Sequence, residues 1–149
     1  MRKSTKFSDS IHILAFLNIY NGKIDLTSDN IASSVQSSPV VVRRLMGSLR
    51  NAGLINTTHG SANPVLARPA DQINLYDIYL AVEGPDQALF DVDYETAPEC
   101  IVGGNIQSTL ETIYNQAQIA TEAKLRANTL QDVIDTILVK QSQKEAQSK

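Results

Sequence analysis

The chain has 149 residues, 42% of them hydrophobic and 19% charged, enough to bury one core and ordinary for a globular protein. Aromatic residues are only 5% and tryptophan is absent, which argues against an aromatic-lined pocket for sugars or bases, and the single cysteine, Cys100, excludes a disulfide framework and any three- or four-cysteine metal site. The net charge of −3 conceals an asymmetry: residues 1–70 hold eight Lys/Arg against three Asp/Glu, a balance of +5, whereas residues 71–149 hold five against thirteen, a balance of −8. Such a split suggests that one half meets a polyanion and the other does not.

No stretch approaches the ~20 apolar residues of a membrane span. The N-terminal "MRKSTKFSDSIHILAF" is basic and then apolar, but His12 and Asn18 interrupt it and no small-residue cleavage site follows. It therefore reads as a first helix and not as a signal peptide, and a reducing cytoplasm is the expected location.

In chain order, residues 8–21 predict a helix with Ile11, Leu14, Ala15 and Asn18/Ile19 inward, closed by Asn21 and a left-handed Gly22. A short second helix follows, capped by Thr27 or Ser28, with Asp29 at its positive end and Leu26, Ile31 and Val35 inward. After a serine turn, Ser38 caps a third helix that has Pro39 at its first position and runs to about Ala52. At 100° per residue, Val42, Leu45, Met46, Leu49 and Ala52 fall on one side, and Val40, Arg43, Arg44, Gly47, Arg50 and Asn51 on the other. Gly53 ends this helix, with Leu54 making the apolar contact behind it.

Residues 54–58 and 65–68 predict a β-hairpin around the tip "HGSANP", stopped by Pro69. A fourth helix is capped by Asn74, has Asp77 at its third position, packs Ile78 and Val82, and ends at Gly84-Pro85. Three helices followed by a two-stranded wing is the order of a winged helix-turn-helix. The expected fold is mainly α with a small β-hairpin, a winged helix-turn-helix followed by a long C-terminal dimerisation helix.

Residues 84–100 read as an acidic linker. Asp91, Asp93 and Glu95 alternate like the start of a calcium loop, but Thr96 stands where that loop needs glycine and Val102 where it needs glutamate, so no metal site is expected. From about Gly103 to Ala127 a helix of about 36 Å carries Ile106, Leu110, Ile113, Ala117 and Ala120 at 4-3-4-3 spacing, flanked by Tyr114 and Leu125. Such a stripe calls for a partner helix. A last helix opens on a Thr129…Asp132 capping pair and shows Leu130, Val133, Ile134, Ile137 and Leu138 on one side. The domains expected are thus 1–83 (winged helix-turn-helix), 84–100 (linker), 101–140 (dimerisation helices) and 141–149 (mobile tail).

Three stretches carry a family resemblance: "SDSIHILAFL"; "NIASSVQSSPVVVRRLMGSLRNAGLI"; and "LARPADQINLYDIYLAVEG" followed at a distance by "CIVGGNIQSTLETIYNQAQIATEAKLRANTLQDVI". In order and spacing the chain resembles the Rrf2 family of bacterial transcriptional regulators, nearest its cluster-free, YwnA-type branch. The resemblance implies a homodimeric winged-helix repressor on a near-palindromic operator, with the long helix crossing its twin. Members that sense through a [2Fe–2S] cluster carry three cysteines before that helix. Here Cys100 stands at the last of those positions while the upstream loop offers Tyr94 and Ala88, so a thiolate-ligated cluster is excluded on ligand count and no cofactor is expected. Many members have an arginine in the wing tip; His59 stands there, and no minor-groove insertion by the wing is inferred.

For double-stranded DNA the required parts are cations for phosphate and short side chains at the start of the reading helix. Ser37, Ser38 and Val40 supply the latter, with Val40 suited to a thymine methyl, and Thr27 and Ser28 at the start of the second helix are further DNA-binding candidates. Arg43 or Arg44 reaches guanine or phosphate, and Arg50, Arg68, Lys3 and Lys6 are phosphate candidates. His59 faces the DNA backbone or water, and His12 is expected in the core. Cys100 admits two readings, a redox-sensing thiol or a plain, partly buried cysteine, since Glu95 and Glu99 oppose activation by the following helix. Nothing resembles an enzyme's catalytic set. The rival reading is a winged-helix protein-interaction module whose third helix docks on an acidic protein surface.

Overall fold

The computed structural model describes residues 4–57 and 63–148. Its first helix, α1 (Lys6–Ile19), is buried along the unbroken run from Ile13 to Leu17, apolar on every side and therefore central. The expected stripe faces inward except at one position: Leu14 and Ala15 are buried and Ile11 and Ile19 pack against the core, while Asn18 is exposed. His12 is not a core residue either. It is exposed, and its Nε2 lies 2.7 Å from the Ser34 hydroxyl on α2, because the helix turns that position past the edge of the core.

In α2 (Ser28–Val35) it is Thr27 that caps, its hydroxyl accepting from the Asn30 amide. The turn into α3 (Pro39–Asn51) is made by Gln36 at φ +60°, and Ser38 Oγ accepts from the Val41 amide with Pro39 behind it. Val42, Leu45, Met46 and Leu49 are buried as expected. Ala52 is exposed, because it is already the capping residue where the chain leaves the helix. Gly53 at φ +76° then lets the Leu54 amide return to the Leu49 carbonyl (3.0 Å) and drives Leu54 inward.

The wing is short. β1 (Ile55–Asn56) and β2 (Val65–Leu66) pair antiparallel, Ile55 with Leu66 and Asn56 with Val65. A 3₁₀ turn at Ala70–Gln72, without a signal in the sequence reading, leads to α4 (Leu75–Glu83), which opens on the reciprocal capping box of Asn74 and Asp77. Residues 84–105 have no regular secondary structure, yet they lie along α5 (Ile106–Arg126). The Leu89 amide donates to Gln118 (3.1 Å), Tyr94 OH to Glu111 (2.6 Å), and Gln107 Nε2 to both the Tyr94 carbonyl and Thr96 Oγ1. The long helix starts at Ile106 because Gly103 and Gly104 are folded into the turn before it. A Cβ on Gly103 would collide with the Ala97 carbonyl, and one on Gly104 would come within 2.6 Å of the Pro98 oxygen.

The last helix, α6 (Leu130–Gln147), returns to the N-terminal core. Leu130 and Ile134 are buried among α1 residues, and the helix start is sewn to the start of α4: Leu75 N donates to Asn128 O (2.9 Å) and Leu130 N to Ile73 O (2.8 Å). Thr129 and Asp132 form the expected capping box. Residues 141–147, where a tail was expected, continue the helix, supported by an i,i+4 pair between Gln141 and Glu145 (3.0 Å) and not by burial.

Candidate nucleic-acid interface

The outward side of α3 divides into two rows about 80° apart at 100° per residue. Val40, Arg44, Gly47 and Asn51 form one, pointing away from the body, with Val40 55% exposed. Arg43 and Arg50 form the other, turned toward α2 and the wing. These two line a recess of about 420 Å³ together with Thr27 and Ser28 at the start of α2 and Thr57 at the end of β1. Arg50 Nη1 donates to Thr57 Oγ1 at 3.4 Å, which orients the guanidinium across the mouth. Two cations and the first residues of a helix lining one concavity suit a phosphate or other anion. Asp29, exposed in the same first turn, limits how positive the recess becomes.

The remaining expected residues are distributed as follows. Ser38 is exposed but its hydroxyl is committed to capping, and Ser37 is half-buried in the turn. Lys6 is exposed at the start of α1. Arg68 lies in a separate recess beside Leu17 and Asn21 and is 3.6 Å from the Asp77 carboxylate, so part of its charge is already answered within the chain. Lys3 and His59 lie outside the described residues. One member of the site was missed from the sequence, Thr57, which only the wing's return brings to Arg50; at Gly47, already placed on the outward side, an added Cβ would find only Arg50 Nη2 at 3.9 Å.

Cys100 is exposed, not partly buried. The amides of Gly103 and Val102 point at its sulfur and lower its pKa from the ordinary thiol value, an effect of the turn. A [2Fe–2S] cluster does not fit this surrounding, since Cys100 is the chain's one thiolate and no three His, Cys, Asp or Glu side chains among the described residues come together to hold a metal.

Of the expected dimerisation residues, Ile106, Leu110, Ile113, Ala117 and Ala120 share one side of α5; Ile113 is 53% exposed, and the helix holds no buried residue in the single chain. Tyr114 turns off this side, its ring 5.3 Å from that of Phe90 in the acidic segment. Among the described residues no helix is long and apolar enough to cross a membrane.

Residues 3–136 match the Rrf2 family, described as iron-dependent transcriptional regulators. A Bacillus subtilis (strain 168) protein named as an HTH-type transcriptional regulator, YwnA, is 31% identical over 132 residues, spanning 89% of this chain and 96% of its own length. A second from that organism, YwgB, is 27% identical over 143 residues, spanning 92% and 86%. Among solved structures, CymR (YrzC), the global cysteine regulator of B. subtilis, superposes with a TM-score of 0.67 at 24% identity over 91% of this chain and 97% of its own, which establishes the shared fold.

Proposed function

This chain belongs to the Rrf2 family of transcriptional regulators, and from that premise we propose that it is a homodimeric repressor gripping a near-palindromic operator with α3 of each protomer. The observation that carries this reading is the two-row face of α3. Val40 and Arg44, beside the side-chain-free Gly47, form a row shaped to approach base edges, while Arg43 and Arg50 converge with the start of α2 where a phosphate would sit. Membership of a regulator family favours DNA over an acidic protein surface as the partner of α3.

Dimerisation rests on α5. A helix of about 32 Å with no buried residue and a half-exposed isoleucine in its apolar stripe leaves that stripe to be covered by a second copy. Two reading helices held in this way meet successive major grooves about 34–36 Å apart. Occupancy of the operator then excludes polymerase from the same stretch.

A mobility-shift experiment on the DNA upstream of the chain's own gene, paired with sedimentation of the free protein, tests both parts. Ile113→Glu places a charge in the stripe; it is expected to yield monomers that keep their fold and lose operator affinity together. A wild-type protein that sediments as a monomer, or a variant that binds the fragment undiminished, refutes the dimeric reading. Loss of the protein should raise expression from that promoter in a reporter strain; a fall would show activation instead.

A further inference from the structure

The acidic segment does more than join two helices. Between residues 85–94 and α5 lies a recess of about 590 Å³. It is lined by the carboxylates of Asp86, Asp91, Glu111 and Glu122 and by the rings of Phe90 and Tyr114, and among the described residues no Lys, Arg or His lines it. We propose that this recess is a binding site for a small organic cation, an amine or a guanidine.

Charge and shape both favour this class. Four carboxylates line the concavity, of which Glu122 is already engaged by Tyr76 beside Arg126 while Asp86, Asp91 and Glu111 have no cation among the described lining residues. Together they focus a negative field, and aromatic faces attract a cation through the ring quadrupole. At the rim the protein answers the same combination with its own side chain: the Arg126 guanidinium sits 4.1 Å over the Tyr76 ring, and the Tyr76 hydroxyl donates to Glu122 (2.7 Å). Elsewhere in the recess Phe90 and Tyr114 stand with Asp86, Asp91 and Glu111, and no cation is among the described lining residues. A bare metal ion suits it poorly, because its acids are spread over two segments and, among the described residues, no three gather as a cage. A cation with charge spread over several atoms and a carbon skeleton to lie on Phe90 and Tyr114 fits both parts of the lining.

The walls are held in place before any ligand arrives. Leu89 N to Gln118 and Tyr94 OH to Glu111 tie the segment to α5 at two points, so little ordering cost is left for binding. The recess also stands clear of the surface assigned to the second copy. Residues 111, 114, 115, 118 and 122 centre about 135° around the helix from the stripe of 106, 110, 113, 117 and 120, so the two faces are filled independently. Glu122, one of the lining carboxylates, is bonded to Tyr76 of α4, so one side chain of the recess is joined to the winged-helix body.

Titration of the full chain with agmatine, which carries a guanidinium and an ammonium, tests the site without DNA. Because tryptophan is absent, intrinsic fluorescence comes from five tyrosines, of which Tyr94 and Tyr114 line the recess. Saturable binding with one site per chain and a dissociation constant below about 1 mM is expected, in calorimetry and in tyrosine emission. Glu111→Gln and, separately, Phe90→Leu should each weaken it by about tenfold, whereas Asp135→Asn, an α6 carboxylate away from the recess, should leave it unchanged. No saturation by about 10 mM agmatine overturns the proposal, as does equal weakening by Asp135→Asn or displacement by magnesium at matched ionic strength. None of these outcomes bears on operator binding.

Discussion

Replacing Gly47 separates the needs of the free helix from those of its proposed partner. Gly47 is the ninth of 13 residues in α3, is not at positive φ, and offers an added Cβ only a flexible guanidinium tip at 3.9 Å. Glycine in such a position costs the helix about 0.5–1 kcal/mol relative to alanine, through backbone entropy alone. Gly47→Ala is therefore expected to stabilise the fold by that amount and to raise the melting temperature by roughly 1–4 °C. Gly47→Gln should be near neutral for stability but add a side chain between Arg44 and Asn51 on the row assigned to base edges, costing about 1–3 kcal/mol of operator affinity, a factor of roughly 5–150. Thermal melts and fluorescence anisotropy on one labelled operator fragment at fixed salt read both effects. A Gly47→Gln protein that binds within twofold of wild type would remove this row from the DNA, and a Gly47→Ala protein that melts lower would show a hidden steric role.

Arg43→Ala combined with Arg50→Ala should lower the slope of log affinity against log salt by about 1.8, two phosphate contacts at about 0.9 each; an unchanged slope means that the α2 recess faces away from the backbone. Ser10 is fully buried and its hydroxyl has no partner among the described residues, so Ser10→Ala should gain about 1 kcal/mol by removing an unmade hydrogen bond. A higher urea midpoint would support that, and a clear loss of stability would show that the hydroxyl is used. Because the Gly103 and Val102 amides favour the thiolate of Cys100, its alkylation rate should rise with pH through a midpoint below that of a cysteine in an unstructured peptide. Iodoacetamide kinetics across pH decide this, and a midpoint at or above the peptide's refutes it.

What the sequence made legible was local. Ser38 before Pro39, Asn74 with Asp77, and Thr129 with Asp132 each write a helix start within four residues, and all three caps form as read. The buried row of α3 was equally plain, since its period is that of the helix itself. Long-range returns were not legible. Nothing near Leu130 announces that α6 folds back on α1, nothing near Thr57 announces Arg50, and the continuous burial of Ile13 to Leu17 gives no stripe to aim by. The acidic segment misled for the opposite reason: its composition is that of solvated chain, yet Leu89, Phe90 and Tyr94 are enough to lay it on α5. Cys100 was read from its acidic neighbours, while the groups that act on it are backbone amides set by a turn the side chains do not encode.

The stitch between α4 and α6, where Asn74 bridges Thr129 and each helix start lends an amide to the other strand of chain, turns α5 into a ruler. Its C-terminal end is clamped to the winged body, so every residue between that clamp and Ile113 fixes both a distance and a bearing. One inserted residue would advance the apolar stripe by 1.5 Å but swing it by 100°, misdirecting both heads of an assembled pair. Insertions of three or four residues nearly restore the bearing while lengthening the span, so evolution can change the reach of such a molecule only in steps of about one helical turn.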